Sequence, residues 1–172
     1  MIDGDPFAAP VELRDPTRRL RGRLAAPVTL WTAGTPDARA GLTVSSVLIA
    51  EGDPARVFGL VTPNSGLWDA LVASGAFVMH VLEHRHRVVA QRFAGQVPAP
   101  GGPFEGLEVG NSTCGPVLAE IATRAGCRVE GWVETGYAYL VTGVVESLDI
   151  GDVDDPLVYF KARYARLSAN LD

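Results

Sequence analysis

The sequence predicts a mainly β protein, a β-barrel of antiparallel strands with short peripheral helices. Six or seven segments rich in β-branched and aromatic residues are bounded by Gly and Pro, as strands commonly are. Only two or three segments have the spacing of apolar residues that is typical of a helix, and each is short. Strands do not alternate with long helices, which argues against a doubly wound parallel sheet. An antiparallel barrel accommodates this number of strands better.

The first part of the chain is predicted to contain a loose arm, a helix and three strands. Residues 1–15 are rich in Pro, Asp and Ala and are expected to form the arm, with residues 16–172 forming a single domain. Pro16–Ala25 is expected to be a short helix. The strands are predicted at APVTLWTAG, LTVSSVLIAEG and RVFGLVT, the first two as a hairpin, and the polar turn PNSG closes the third.

Two further helices are predicted around a fourth strand. In LWDALVASG, the spacing places Leu67, Leu71 and Val72 on a buried stripe, and Gly75 ends the helix. AFVMHVLE is predicted to be the strand. RHRVVAQRFAG follows as a helix, and the expected buried face is formed by Val88, Val89 and Phe93.

A long loop and three strands are predicted for the rest of the chain. Residues 95–115 are rich in Pro and Gly, and loops of this length are commonly functional or disordered. A strand is expected around Cys127–Val133, a second one at GYAYLVTGVVESLDI, and one more at PLVYFKARYARL to close the chain.

The composition excludes several classes of function. The chain has 172 residues, a formal net charge of −5 and a pI near 5.2, whereas nucleic-acid binding needs concentrated Lys and Arg. The basic run TRRLRGRL at residues 17–24 is interpreted as a solvated helix face, with contact to phosphate or anionic lipid as the alternative. No apolar run approaches the roughly 18 residues that span a membrane, and the N-terminus lacks the pattern of a signal peptide. We therefore expect no nucleic acid, no membrane and a cytoplasmic location.

The cysteines and histidines do not predict a metal site or a catalytic side chain. Cys114 and Cys127 lack metal-ligand spacing and are expected to be reduced thiols. His80 and His84 have helical i, i+4 spacing, but His80 belongs to a predicted strand and is interpreted as a histidine of the core. The sequence also lacks a G-x-S-x-G elbow, a P-loop and a G-x-G-x-x-G motif.

Two clusters of polar residues are candidate binding elements. The first is Thr43, Ser45 and Ser46 in the apolar run AGLTVSSVLIA, and the second is Thr62, Asn64 and Ser65 in VTPNSG. Hydroxyls at strand ends can turn towards an anion such as phosphate. Ordinary turn chemistry is the alternative, particularly for the second cluster. Together the two clusters could line one pocket at the ends of neighbouring strands.

The order and spacing of several short motifs resemble the flavin reductase-like family, whose fold is the FMN-binding split barrel. The resemblance extends over roughly residues 16–167. It rests on VTLWT (28–32), GLTVSS (41–46), SGAFVMHVL (74–82), RFAG (92–95), GPVL (115–118), CRVEG (127–131) and PLVYFKARYARL (156–167).

The resemblance implies an FMN or FAD site on a flank of the barrel, completed across a homodimer. The residues that would contact the flavin by position are Gly41, Thr43, Ser45 and Ser46. Those that would contact its ribityl or phosphate side are Thr62, Asn64 and Ser65, with Arg92 as a further candidate for the phosphate charge.

The sequence departs from the family pattern at two places. Many family members have G-D-H after the CRV segment, where this chain has Tyr137 and Ala138 in place of Asp and His. Trp68 stands close to a position where the family often has Thr. Its ring would suit stacking on a flavin or nicotinamide, and packing against its own helix is the alternative.

By this resemblance, the implied activity is NAD(P)H:flavin oxidoreduction, with NADH or NADPH as co-substrate. A hydride passes from nicotinamide C4 to flavin N5, and the reduced flavin serves a partner monooxygenase or another acceptor. Such chemistry belongs to the cofactor and needs no side-chain acid or base. One alternative is a flavin-binding carrier or sensor without turnover, which the missing Asp-His pair favours. The other is a split barrel that holds deazaflavin or haem.

Overall fold

The computed structural model describes residues 15–167 and shows a curved sheet of seven antiparallel strands in the order β3-β2-β6-β9-β10-β5-β4. Two small sheets accompany it, β1-β11-β12 and β7-β8. The strands in the described part of the chain are β1 (Ala26–Pro27), β2 (Thr29–Thr35), β3 (Ala38–Val44), β4 (Val47–Ala50), β5 (Arg56–Val61), β6 (Ala76–Val81), β7 (Val109–Ser112), β8 (Gly115–Leu118), β9 (Arg124–Thr135), β10 (Ala138–Asp149), β11 (Val158–Phe160) and β12 (Arg163–Ala165).

The sheet closes into a barrel because its two edge strands are consecutive in the chain. β3 and β4 lie at opposite edges of the seven-stranded sheet, yet only Ser45 and Ser46 separate them. The Leu60 N–H donates a hydrogen bond of 3.2 Å to the Ser46 carbonyl at this junction. The predicted mainly β, split-barrel fold is confirmed. The single strand predicted over LTVSSVLIAEG is wrong, because the chain leaves one edge of the sheet and enters the other within that segment.

The predicted helices are present, and they are short. They are α1 (Pro16–Arg21), α2 (Gly66–Ser74) and α3 (Arg87–Phe93), the last preceded by a 3₁₀ turn. α2 ends at Gly75, whose φ of 67° is the left-handed conformation that glycine adopts readily. Val72 and Val88 are 52% and 54% exposed, so their predicted burial is wrong. Val72 directly follows the buried Leu71, and Val88 directly precedes the buried Val89. Successive residues on a helix point about 100° apart, so these two valines point away from the buried face.

Strand pairing adds elements that the sequence does not predict. β7 lies inside the predicted loop 95–115 and pairs with β8. The single closing strand at residues 156–167 is in fact the hairpin of β11 and β12. The tally of six or seven strands is therefore too low, because short strands at turns carry little alternation of their own. The arm predicted over residues 1–15 lies outside the described residues, except for Asp15.

The interior of the barrel is filled by side chains. The Trp31 ring stacks on Phe77 with 4.2 Å between ring centroids and 7° between the planes. Gly59 also lies against Trp31, and an added Cβ there would be 2.5 Å from the indole ring. A second cluster packs α3 against the outside of the barrel around Leu30, Leu118 and Phe93. A ligand of nucleotide size therefore has no space inside the barrel.

The two cysteines are free and buried in this packing. Burial raises the pKa of the Cys127 thiol to about 12, so it remains protonated at neutral pH. Within residues 15–167, no group of three or more His, Cys, Asp or Glu side chains is placed to hold a metal ion. No helix of that region is long and apolar enough to cross a membrane.

His80 is fully buried with both ring nitrogens hydrogen-bonded, as interpreted from its place in a strand. The Leu118 N–H donates to Nε2 over 3.2 Å, so Nδ1 carries the proton and donates to the Leu30 carbonyl over 3.1 Å. This is the neutral imidazole. Burial is the main reason that the pKa of His80 falls to about 4, and the nearby Arg124 and His86 lower it further.

We expect Gly59→Ala to destabilise the protein by about 1–3 kcal/mol, because the new methyl group would overlap the Trp31 ring. Gly131→Ala is the matched control, since nothing lies within 4 Å of a Cβ at Gly131. It should change stability by less than about 1 kcal/mol, through the unfolded state. Urea unfolding followed by tryptophan fluorescence measures both, and equal midpoints for the two variants would contradict the packing described.

We expect the free energy of unfolding to decrease as the pH is lowered from about 6.5 to about 4. In that window the unfolded chain binds a proton at His80 while the folded chain does not. The loss attributable to His80 reaches about 3 kcal/mol at pH 4 and then levels off. Urea unfolding at a series of pH values measures it. In His80→Asn the slope over this window should become shallower, and an unchanged slope would contradict the assignment.

Candidate functional site

A cleft of about 930 Å³ runs along the outside of the barrel. One wall is the outer face of β4, β5 and β10. The opposite wall is formed by α1, β1 and the β11–β12 hairpin. Its volume lies within the usual range for small-molecule sites, about 300–1,000 Å³.

The sheet side of the cleft is an apolar surface, which we call the apolar wall, formed by Leu48, Phe58, Leu60 and Leu140. Leu48 pairs with Phe58, and Leu60 pairs with Leu140, so all four point outward. The alternate residues of β5 point into the core. Leu48 is 73% exposed, which is unusual for a large apolar side chain and favours coverage by a ligand or a partner.

Ser45 and Ser46 lie at the edge of the apolar wall, where β3 passes into β4. Both are half-buried. Neither hydroxyl is hydrogen-bonded to a protein group among the hydrogen bonds of residues 15–167. By contrast, the hydroxyls of Thr29 and Thr32 donate to backbone carbonyls of the core. The serine hydroxyls are therefore available to a ligand in the cleft.

The second polar cluster lies close to this point without lining the cleft. The Leu60 N–H is hydrogen-bonded to the Ser46 carbonyl, and Thr62 lies two residues beyond Leu60. Thr62 is therefore about 7 Å along the strand from the residue that contacts Ser46. Ser65 caps α2: its hydroxyl accepts from the Trp68 N–H at 3.2 Å and donates to the Thr62 carbonyl at 2.7 Å. Turn chemistry therefore occupies Ser65, while Thr62 and Asn64 are exposed.

Gly41 and Thr43 face α3, away from the cleft. A Cβ at Gly41 would lie 2.7 Å from the Phe93 ring, so this glycine permits close packing of helix and strand. The Thr43 hydroxyl donates to the Ala90 carbonyl at 2.7 Å. The structure gives both residues a packing role and does not bring them to the cleft.

The remaining three candidates also lie outside the lining of the cleft. The Trp68 ring stacks on Tyr139 with 4.1 Å between centroids, so packing against neighbouring aromatic rings occupies it. Tyr137 is 97% exposed in the two-residue turn between β9 and β10. The Arg92 guanidinium donates to the Glu105 carbonyl at 2.8 Å.

Sequence reasoning gave phosphate contact of the basic run 17–24 only as an alternative to a solvated helix face, and it did not single out Lys161. Arg18 and Arg21 of α1 and Lys161 of the β11–β12 turn line the cleft, together with Tyr159. The basic run at residues 17–24 was the available signal, and two other arginines of that run, Arg19 of α1 and Arg23 just after it, lie on a separate surface. The contact between α1 and the C-terminal hairpin brings the three cations together, and no local pattern encodes that contact.

Comparison with known proteins agrees with this architecture. The model of the flavin reductase like domain matches residues 21–168. An FMN reductase (NADH) RutF 2 of Methylorubrum extorquens is 30% identical over 165 residues, covering 95% of this chain and 94% of the relative. The reductase component of a 4-hydroxyphenylacetate 3-monooxygenase of Thermus thermophilus is 26% identical over 155 residues, with 90% and 97% covered.

Among solved structures, the NADH:FAD oxidoreductase SgcE6 of Streptomyces globisporus C-1027, in complex with NAD and FAD fragments, superposes with a TM-score of 0.81. It is 22% identical, and the match covers 93% of this chain and 99% of that one. The likeness to this structure concerns the fold. The match of the domain model over residues 21–168, most of the chain, shows that the chain belongs to the flavin reductase like domain family.

Proposed function

We propose that this protein is an NADH-dependent flavin reductase that binds FMN or FAD and passes reduced flavin to a partner monooxygenase or another acceptor. The observation that carries the proposal is the external cleft, in which an apolar wall meets two serine hydroxyls that have no hydrogen-bond partner within residues 15–167. The names of the relatives support it, since they include an FMN reductase (NADH) and a monooxygenase reductase component.

The residues of the cleft fit a flavin. A flat aromatic ring system requires an extended apolar surface, and the pairs Leu48–Phe58 and Leu60–Leu140 provide one. The polar edge and ribityl chain of a flavin require hydrogen-bond partners, and Ser45 and Ser46 provide hydroxyls beside that surface. We propose that the apolar wall holds the ring and that the two serines orient it.

A bound flavin supplies the redox chemistry by accepting a hydride from NADH. The protein supplies position and environment. No Asp, Glu or His is among the described residues that line the cleft, so neither a carboxylate nor an imidazole is placed there to relay a proton. Because no histidine is among these lining residues, the cleft offers no axial histidine for the haem alternative. Leu48 and its neighbours keep water from the ring face that they cover.

The absence of the family's Asp-His pair bears on turnover. Tyr137 points into solvent from the tip of the β9–β10 turn, and Thr135, two residues earlier, lines the cleft. No described side chain of that turn therefore takes the place of a histidine beside the nicotinamide. This observation is the one that favours the second candidate function, a flavin carrier without turnover.

Anaerobic stopped-flow absorbance of the FMN-loaded protein distinguishes the two functions. Mixing with NADH should bleach the flavin band rapidly, and mixing with NADPH gives the preference between the nucleotides. The double variant Ser45→Ala/Ser46→Ala should bind FMN about tenfold more weakly, because hydrogen bonds to the ligand are lost. Flavin fluorescence titration measures the affinity.

Thr113→Ala is the control for the serine variant, because it removes an exposed hydroxyl outside the cleft and should leave the affinity unchanged. A flavin that binds and stays oxidised in NADH would replace the reductase with the carrier. Failure to bind any flavin would remove both functions.

We propose further that the protein is a homodimer that acts in the cytoplasm. Val133 is 65% exposed and extends the apolar wall beyond the cleft, through its pairing with Leu140. Contact with a second copy of the chain would remove this exposed apolar surface from water. The free thiols of Cys114 and Cys127 agree with a reducing compartment.

Light scattering after size exclusion tests the dimer. We expect a mass twice that of the 18.2 kDa chain, and a shift towards the monomer in Val133→Lys, because a buried charge without a partner destabilises an interface. Val88→Lys changes another exposed valine, 54% exposed and on α3, and should keep the dimer. A wild-type protein with the mass of one chain, or a fully dimeric Val133→Lys, would contradict the interface.

A further inference from the structure

Three cations, Arg18, Arg21 and Lys161, line one part of the cleft, and we call them the cationic rim. No Asp or Glu is among the described lining residues. Within residues 15–167, none of the three takes part in an ion pair with a carboxylate. Arginines elsewhere on the barrel do form such pairs, for example Arg56 with Glu130 at 2.7 Å. Among the described residues, the cationic rim is thus a local concentration of positive charge without carboxylate partners, in a protein of net charge −5.

The backbone fixes the two halves of the rim against each other. The Lys161 N–H donates to the carbonyl of Gly22, the residue that ends α1, over 2.9 Å. Lys161 and Ala162 form the two-residue turn between β11 and β12, and both have positive φ, 49° and 61°. A turn of this shape favours Asn-Gly, and side chains larger than glycine's are unfavourable there. Such strain persists where the surrounding structure holds the turn in place, and it is common at ligand sites.

The rim is separate from the serines. Val158 of β11 pairs with Pro27 of β1, and the chain continues from β1 into β2. The start of β2 pairs with the end of β3, just before Ser45, so Val158 lies at the serine side of the cleft. Lys161 lies three residues beyond Val158, or about 10 Å along the hairpin. The cleft therefore has two polar regions, hydroxyls at one and cations at the other. The apolar wall lines the same cleft as both regions.

We propose that the cationic rim is a phosphate-binding site for nucleotides in the cleft, so that phosphorylated ligands bind in preference to their dephosphorylated forms. The inference rests on the proposed function, because it concerns the same cleft. Guanidinium and ammonium groups bind phosphate oxygens through charge-assisted hydrogen bonds, which are the strong ones. The phosphate belongs either to the flavin or to the pyridine nucleotide, and both present the same chemistry to the rim.

The test compares ligand pairs that differ only in phosphate content. FMN against riboflavin is measured by flavin fluorescence, and nicotinamide mononucleotide against nicotinamide riboside is measured by titration calorimetry on flavin-saturated protein. In Arg18→Gln/Arg21→Gln, the affinity for the phosphorylated member of one pair should fall about tenfold or more, while the other member binds as before. The affected pair identifies which ligand carries the phosphate to the rim.

The matched control is Arg19→Gln/Arg23→Gln, which removes the same charge from the same part of the chain but from a surface outside the cleft. It should leave both pairs unchanged. Lys161→Gln changes the rim from a different element and should reproduce the selective loss, so a misfolded helix variant would not mimic the result. Equal losses in rim and control variants, or unchanged discrimination in both pairs, would overturn the inference. Absence of all flavin binding in the wild type would instead remove the proposed function.

Discussion

The two-residue link between β3 and β4 is the constraint on which the rest of the structure depends. Two residues span at most about 7 Å, so the opposite edges of a seven-stranded sheet must approach each other wherever Ser45 and Ser46 connect them. β3 and β4 share no ladder, so the barrel is joined by this link and stays split beyond it. The link also takes these serines out of both strands, since the chain turns from one ladder to the other there. Their hydroxyls are consequently left facing the cleft.

A closed and filled barrel determines where a ligand can lie. Inside, Trp31 packs against both Phe77 and Gly59, and close-packed interiors do not admit a large ring. The outer face of the sheet is the remaining apolar surface, because alternation along β5 sends Val57 and Val61 inward and Phe58 outward. The same alternation that builds the core therefore builds the apolar wall. One face of β5 builds the core, and the other forms part of the apolar wall.

The sequence predicted those features that local patterns encode. Alternation and turn residues located most strands, and the hydroxyls of Ser45 and Ser46 were singled out because such residues are unusual in an apolar run. The break between them could not be predicted, because Val44 and Val47 on either side have ordinary strand propensity. Lys161 was missed for a different reason: its partner Gly22 lies near the other end of the chain, and only the pairing of β1 with β11 brings them together.

Overall charge is a poor guide to a site of this kind. A net charge of −5 argues against a polyanion partner that contacts a broad surface, yet it does not determine the potential inside one cleft. Exposed charges are screened over about 8 Å at physiological ionic strength, so a ligand in the cleft responds mainly to Arg18, Arg21 and Lys161. Distant carboxylates contribute little there. An acidic protein can therefore bind phosphorylated nucleotides, provided that its acids are kept out of the cleft, as they are in the lining described here.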